Sequence, residues 1–229
     1  MDITVTKSIS PVSSTPSTTT TIIINPESRS SSCCSTFFVH IKQYTKKWSG
    51  AHKTRPPRPS FMEIGYSWLG GFCGILALAL VHYLHTIHLA SIMKSMIVGS
   101  FGASAVLIYG VPHGPLSQPR NLVGGHVISA LTGVIIRDLL VKLPVWTNGL
   151  ILAAALSVSL SITFMQLTST LHPPGAATAL IAVIGDTTVV ELGYMYILQP
   201  ILSGSLIMLF FALLINNLSK DRTYPQYWW

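Results

Sequence analysis

The sequence predicts an all-α membrane protein: a polytopic transmembrane helical bundle of about five or six elements, some of them broken or half-length, behind a disordered N-terminal tail. Charged residues make up only 9% of the chain and hydrophobic residues 49%, whereas roughly a quarter of an ordinary soluble domain is charged. Four stretches contain no Asp, Glu, Lys or Arg, and each reaches the ~20 residues that cross ~30 Å of hydrocarbon; they are residues 64–93, 95–119, 143–185 and 192–219.

Residues 1–60 have a different composition. The first part is rich in Ser and Thr and contains few acids, and residues 40–60 are basic and Pro-rich. This composition favours a plastid transit peptide followed by a basic disordered segment, with a mitochondrial transit peptide or a plain cytosolic tail as the alternatives. A secretory signal is excluded because no apolar run lies near Met1. We therefore divide the chain into residues 1–60, a transmembrane domain at 61–220 and a C-terminal tail at 221–229.

The positive charge is concentrated outside the predicted membrane domain. The net charge is +7, but eight of the 14 Lys and Arg residues precede residue 61. The membrane body is therefore nearly neutral, and its composition predicts no nucleic-acid partner. Three cysteines without a CxxC pair predict neither a disulfide framework nor a zinc site.

The predicted helices follow the apolar runs in order. The first covers residues 66–84, and a polar connection with two histidines follows it. The second covers 94–109 and ends at a loop with three prolines, the last of which is Pro119. The third, 121–140, begins behind that proline, because proline suits the first turn of a helix. These three helices account for the first two uncharged runs and the sequence up to residue 140.

The long uncharged run at 143–185 exceeds one crossing, so it must contain a full span and a shorter element. We predict a helix at 146–171, a break at His172-Pro173-Pro174, and a short helix at 175–184 of about 15 Å. Proline lacks an N–H group and disfavours helix in the residue before it, so the pair should end the long helix. The last helix is predicted at 193–218, with a bend at Gln199-Pro200.

Small residues recur at helical spacing in the third and fourth helices, and this pattern predicts close helix packing; they are Gly125, Ser129, Gly133, Ala153, Ser157 and Ser161. The segments "GASAVLI" (102–108) and "GAATALI" (175–181) also share four of seven positions. Chance explains such an echo as readily as duplication does. A duplicated broken helix, however, would indicate the binding site of a transporter.

Two helix starts together predict a site for a small anion. After the break, the new helix is expected to expose unpaired N–H groups and the positive end of its dipole, with Gly175 and Ala176 leaving that end uncovered. "QPRNLVGGH" repeats the arrangement, since Arg120 adds a charge and Asn121 an amide donor. Gly124, Gly125 and His126 are expected to keep that first turn open. His126 and His172 would donate hydrogen bonds to the anion and could also titrate.

Each of these residues also has a purely structural interpretation. His172 can satisfy the last carbonyl groups of the preceding helix, His126 can be a packed interhelical residue, and Arg120 can extend to the membrane interface. A membrane enzyme that uses His113, His126 and His172 as metal ligands is a weaker alternative, because no HExxH motif or nearby carboxylate completes such a site.

Three segments carry a family resemblance: "SFGASAVLIYG", "PLSQPRNLVGGHVISALTGV" and "STLHPPGAATALIAVIG". They resemble the signature blocks of the HPP family of integral membrane proteins, which is named for the tripeptide His172-Pro173-Pro174. The resemblance covers about residues 68–218.

This resemblance implies a function that the residues alone do not specify. Plant members of the family are chloroplast envelope proteins that move nitrite into the stroma. The expectation is therefore a multi-pass transporter, not an enzyme, in the inner envelope membrane, whose partners are nitrite and lipids, with homo-oligomerisation open. No cofactor or metal is expected. The alternative from another class is a scaffold or assembly factor of the envelope.

Overall fold

The computed structural model describes residues 39–49, 54, 55, 57–88, 99–140 and 149–229. The chain divides into two units, Met1–Pro57 and Arg58–Trp229. In the first unit, residues 39–46 are helical and Lys47–Ser49 form a 3-10 turn, where the sequence analysis predicted no regular structure. An edge-on contact between Tyr44 and Trp48, four residues apart, accompanies this helix.

The second unit is built from seven helices over its described residues: α1 (Phe61–His88), α2 (Gly99–Ala105, continued by a π-helical turn at Val106–Gly110), α3 (a π-helical turn at Arg120–Gly124, then Gly125–Leu140), α4 (Gly149–Leu167), α5 (Pro173–Ile184), α6 (Thr187–Leu192) and α7 (a π-helical stretch at Ile197–Leu202, then Ser203–Asn216). Among the described residues, four stretches are long and apolar enough to cross a membrane, at Phe61–Val81, Arg120–Leu140, Gly149–Leu167 and Ile197–Asn216. Helices Gly99–Gly110 and Pro173–Ile184 are apolar but shorter.

The predicted all-α class and the broken helices are confirmed, and several boundaries differ. The predicted second helix is helical over all of its described residues and runs one residue further, to Gly110, while residues 94–98 lie outside the described part. The predicted last helix begins four residues later than expected, at Ile197, and ends two residues earlier, at Asn216. The short helix α6 before it was not predicted; Asp186 caps it by accepting a hydrogen bond from the Val189 N–H. The bend at Gln199-Pro200 is confirmed, since Gln199 has non-helical dihedral angles.

Helix α4 ends four residues earlier than predicted, and proline is not the cause. The Ser169 N–H donates to the Gln166 carbonyl at 3.1 Å, and the Thr170 N–H donates to the Met165 carbonyl at 2.8 Å. Ser169 has a left-handed backbone conformation with φ of 56°. This pair of bonds is a Schellman motif, in which glycine is the usual left-handed residue. The helix therefore terminates itself before the chain reaches Pro173.

The predicted small-residue faces do pack closely. A Cβ atom on Gly133 would lie 2.4 Å from the Ala179 carbonyl oxygen, so α3 and α5 touch through their backbones there. On the other side, Ser129 Oγ and Ser161 Oγ are 3.1 Å apart and join α3 to α4. Close packing is the main force between helices in lipid, because lipid tails are as apolar as the side chains. Helix α3 is therefore the centre of a tightly packed group with α4 and α5.

The segment predicted as a C-terminal tail is packed against the bundle. Arg222 and Tyr224 are 4% and 2% exposed. Burial raises the pKa of the Tyr224 phenol, and its neutral hydroxyl donates to the Ser117 carbonyl at 2.8 Å. The Gln226 N–H donates to Gln118 Oε1 at 2.8 Å. The C-terminal segment thereby holds the Pro-rich loop that leads into α3.

Candidate functional site

The two predicted helix starts lie side by side. Arg120 Nη2 donates to the Thr168 carbonyl oxygen at 2.6 Å, and Asn121 Nδ2 donates to the Leu171 carbonyl oxygen at 2.8 Å. Both acceptors belong to the irregular segment between α4 and α5. The start of α3 is therefore hydrogen-bonded directly to the break that precedes His172, although 48 and 50 residues separate the partners.

The glycines of the predicted site make close contacts and do not leave open space. A Cβ atom on Gly124 would lie 2.8 Å from Thr170 Cγ2, and one on Gly125 would lie 2.6 Å from His172 Cβ. A Cβ atom on Gly175 would lie 2.8 Å from Ser129 Oγ. The interpretation that these glycines keep the first turns open is thus wrong. They allow the two helix starts to approach each other within van der Waals contact.

The start of α5 also differs from its predicted form. His172 precedes the helix with an extended backbone, and Pro173 and Pro174 occupy its first two positions. Neither proline has an N–H group, and the next donor, Gly175, bonds to the His172 carbonyl oxygen at 2.8 Å. The prediction of an unpaired N–H at Gly175 is therefore wrong. Pro173 is exposed, Pro174 is buried and Ala176 is half-buried.

A buried hydrogen-bond chain connects the two histidines of the site. His126 Nε2 lies 2.7 Å from Ser104 Oγ, and His172 Nε2 lies 2.9 Å from the same oxygen. His126 Nδ1 lies 2.8 Å from Thr178 Oγ1, which is 2.8 Å from Ser100 Oγ. All five side chains are essentially inaccessible to solvent. The structure thus joins α2, α3 and α5 through polar groups inside an apolar bundle.

The protonation of His172 follows from its other partner. His172 Nδ1 lies 2.9 Å from the Leu116 carbonyl oxygen, which can only accept a hydrogen bond. Nδ1 must therefore carry a proton, and neutral His172 presents a bare Nε2 to the hydroxyl of Ser104. The Thr178 hydroxyl donates to Ser100 Oγ, so His126 Nδ1–H donates to Thr178 Oγ1 and neutral His126 also presents a bare Nε2. Ser104 has one hydroxyl proton, and its oxygen is also 3.2 Å from the Ser100 carbonyl oxygen, so it can satisfy only one of the two neutral imidazoles.

His113 is not part of this hydrogen-bond chain. It is exposed in the loop before α3, and Nδ1 contacts Gln226 Nε2 at 3.2 Å. Over the described residues, no group of three or more His, Cys, Asp or Glu side chains could hold a metal ion. The His113–His126–His172 metal site is therefore not formed in the described structure.

The charges of the described membrane body are few and mostly paired. Arg137 Nη2 lies 3.3 Å from Asp138 Oδ1, as expected for adjacent residues at a helix end. Among the described residues from 99 to 216, Arg120 is the one cation without an acidic partner. The Arg120 side chain is half-buried. Solvent therefore reaches its charge but does not fully hydrate it.

Ser104, Ser100 and Thr178 belong to the buried hydrogen-bond chain but were not predicted as site residues. Ser100 and Ser104 are four residues apart and therefore share a helix face. Ser104 also lies within the echo of "GASAVLI" and "GAATALI", whose two copies are the short helices α2 and α5. Two hydroxyl groups one turn apart in a short apolar helix were a signal that the sequence contains, but their partners depend on the packing of other helices.

The arrangement defines a class of protein. Four apolar spans, two short apolar helices and a polar chain enclosed among them are the architecture of a multi-pass integral membrane protein. The family model for the HPP transmembrane region matches residues 56–225, so the chain belongs to the HPP transmembrane family.

Two curated relatives from Dictyostelium discoideum, both called transmembrane proteins, are similar to the chain. Transmembrane protein DDB_G0269096 is 52% identical over 193 residues, covering 83% of this chain and 65% of the relative. Transmembrane protein DDB_G0273707/DDB_G0273361 is 50% identical over 191 residues, covering 83% of this chain and 59% of the relative. The chain thus spans less than two thirds of either relative. No solved structure matches the chain.

Proposed function

We propose that this protein transports a small monovalent anion across its membrane, with Arg120 as the cation that attracts the anion. The observation that supports this is the position of Arg120. Its half-buried guanidinium has no acidic partner in the described structure and lies where the start of α3 meets the segment between α4 and α5.

The surroundings of Arg120 favour an anion over a cation or a neutral solute. Arg120 uses Nη2 for the Thr168 carbonyl, and a guanidinium has five N–H donors in a fixed planar fork. Two oxygen atoms of one anion can accept from such a fork in parallel. The positive ends of the α3 and α5 dipoles add to the charge of Arg120. The amide of Asn121, the next residue, and the imidazoles of His126 and His172 are the further donors that we propose for the anion.

Nitrite is the anion that we propose, and the inner envelope of the plastid is the membrane. Both rest on the family resemblance and on the Ser/Thr-rich, acid-poor composition of residues 1–60. The names of the two Dictyostelium relatives indicate a membrane and no compartment. The localisation test is a fusion of residues 1–60 to a fluorescent protein expressed in plant cells. Plastid fluorescence is expected, and fluorescence in the secretory pathway or cytosol would contradict the proposed localisation.

Anion uptake by proteoliposomes tests the proposed transport. The full chain is reconstituted, and nitrite, nitrate, formate and chloride are supplied outside. We expect saturable nitrite uptake that the full-length Arg120→Gln variant lacks and that Arg120→Lys retains in part, because lysine supplies charge without the planar fork. Arg58→Gln is the matched control, since Arg58 is an exposed arginine over the ring of Phe61.

Two outcomes of the same preparation would overturn this function. Normal uptake by Arg120→Gln would mean that Arg120 only fastens the end of α4. Absence of all anion flux, together with a stoichiometric protein partner on pull-down, would favour the scaffold. Bound metal in the purified protein would favour the membrane enzyme. Light scattering of the detergent-solubilised protein determines whether it self-associates.

A further inference from the structure

The Ser104 bridge has a consequence for the ion that accompanies the anion. We propose that His126, Ser104 and His172 form a proton relay, and that the protein couples the movement of one proton to each anion. This inference rests on the proposed transport function, and it concerns atoms other than the Arg120 guanidinium. It starts from the finding that Ser104 Oγ is within hydrogen-bond distance of Nε2 on both imidazoles.

The proton count can be followed through the chain. In the neutral state, Nδ1–H of His126 donates to Thr178 and Nδ1–H of His172 donates to the Leu116 carbonyl, so both Nε2 atoms are bare and share the one Ser104 proton. A proton bound at His126 Nε2 donates to Ser104, and it can pass to the Ser104 oxygen while the Ser104 proton passes to His172 Nε2. His172 is then an imidazolium, and His126 is neutral again with its proton on Nδ1. One proton has moved and no group is left without a hydrogen bond.

The partners at both ends fit this second state. The Leu116 carbonyl oxygen, 2.9 Å from His172 Nδ1, accepts from the imidazolium as it does from the neutral ring. At the other end, His126 Nδ1–H donates to Thr178 Oγ1, and Thr178 donates to Ser100 Oγ. Hydroxyl groups reverse by rotation about one bond. The chain is therefore satisfied both before and after the transfer.

In the described part of the chain, no acidic or basic side chain is hydrogen-bonded to either imidazole. The recorded hydrogen bonds of the two imidazoles in the described structure go to Ser104, Thr178 and Leu116, and none goes to a carboxylate. Tyr196, just before α7, donates its hydroxyl to the Thr178 carbonyl, and the ring of Phe101 on α2 covers His126 at 5.1 Å. Helix α4 (Gly149–Leu167) contains no titratable side chain. Arg120, at the start of α3, is the nearest charge along the chain.

In this environment, protonation of His172 depends on a bound anion. A cation buried without a partner is costly, so the imidazolium of His172 forms readily only when an anion lies near it. The site proposed for the anion is adjacent, since a Cβ atom on Gly125 would meet His172 Cβ at 2.6 Å and Asn121 bonds to Leu171. By linkage, each of the two ligands then increases the affinity for the other. The pair crosses the membrane with no net charge.

The first test uses the wild-type protein in liposomes that contain a pH-sensitive dye. Nitrite supplied outside should acidify the interior together with uptake, at about one proton per anion. An inward proton gradient should accelerate uptake at least fivefold, and a membrane potential should not. Nitrous acid crosses bilayers unaided, so nitrate and protein-free liposomes are run in parallel. Protein-dependent uptake without proton movement would overturn the relay and leave the transport function intact.

The second test separates the relay from anion binding. Ser104→Ala removes the bridge, so we expect uptake driven by a proton gradient to fall at least tenfold. Exchange of labelled for unlabelled anion at equal pH should stay within twofold, because the proton need not leave the protein during exchange. Ser161→Ala is the matched control, a buried serine that bonds only Ser129 among the described partners. If uptake by Ser104→Ala responds to the proton gradient as wild type does, the proton relay is overturned. If neither the variant nor the wild-type protein exchanges anion, the transport function itself is overturned.

Discussion

Ser104 Oγ and His172 Nε2 are hydrogen-bonded at 2.9 Å across 68 positions of the sequence. The bond ties the short helix α2 to the residue that precedes the short helix α5. These two helices contain the echoed heptapeptides of the sequence, and their remaining side-chain bond is the one between Ser100 and Thr178. The polar chain is therefore located where two interrupted helices meet, which is where transporters commonly bind their substrates.

Gly125→Ala should destabilise the protein by about 1–3 kcal/mol, the usual cost of overpacking. The added methyl group would lie 2.6 Å from His172 Cβ and 2.7 Å from the Thr170 carbonyl oxygen, so α3 and the break would have to separate. Gly102→Ala is the matched control, because nothing lies within 4 Å of its Cβ position. Thermal unfolding in detergent measures both. Equal effects of the two changes would show that the close approach at Gly125 does not matter.

Ser169→Gly should stabilise the protein by about 0.5–1 kcal/mol. Ser169 has a φ of 56° at the end of α4, and a left-handed conformation costs a non-glycine residue about 1–2 kcal/mol. Part of this gain is offset by the greater chain entropy of glycine in the unfolded state. Ser169→Val should shift the unfolding midpoint in the opposite direction. A destabilising glycine would mean that the serine hydroxyl contributes more than the backbone conformation costs.

Replacing Pro173 and Pro174 together by alanine should leave the end of α4 where it is. The sequence alone predicts that α4 would continue through the break, but the Schellman bonds at Ser169 and Thr170 end it first. We expect a loss of about 1–2 kcal/mol from the added freedom of the unfolded chain. Uptake per folded molecule should stay above half of wild type, because His172 keeps its bonds to Ser104 and Leu116. A spin-label distance across the break that fits a continuous helix would refute this.

Arg222→Met should destabilise the protein by at least ~2 kcal/mol. All five N–H donors of Arg222 are used, at distances from 2.6 to 3.1 Å; the acceptors are the Glu63 carboxylate, the Glu63 and Tyr109 carbonyl groups, Ser67 and Asn216. Breaking a fully buried pair costs about 3–5 kcal/mol, and Glu63 retains some solvent here, so the loss should be smaller.

Lys220→Met is the control for Arg222→Met, since Lys220 is an exposed cation two residues away. Its unfolding midpoint in detergent should match wild type. Arg222→Lys should recover only part of the lost stability, because an ammonium group cannot reach five acceptors in one plane. Wild-type stability of Arg222→Met would show that residues 221–229 are a tail after all.

Hydropathy and proline placement by themselves determined the class of this protein, the positions of its long spans and the two helix starts at Arg120 and His172. These properties are local: the free energy of transferring a segment into lipid depends on its own side chains, and a missing N–H acts within one turn. The sequence also predicted that the starts of the third helix and of the short helix lie together, and in the structure Arg120, Asn121 and Gly125 contact the segment 168–172.

Only the tertiary structure decided what those residues do to one another. Glycine in the sequence is equally compatible with an open anion cradle and with close packing, and the choice depends on what lies opposite its missing Cβ atom; here it is His172 and Ser129. The end of α4 depends on dihedral angles that composition does not specify. Ser104 became part of the site because helices α2, α3 and α5 meet at its hydroxyl, and a hydrogen bond between distant residues is a property of helix packing.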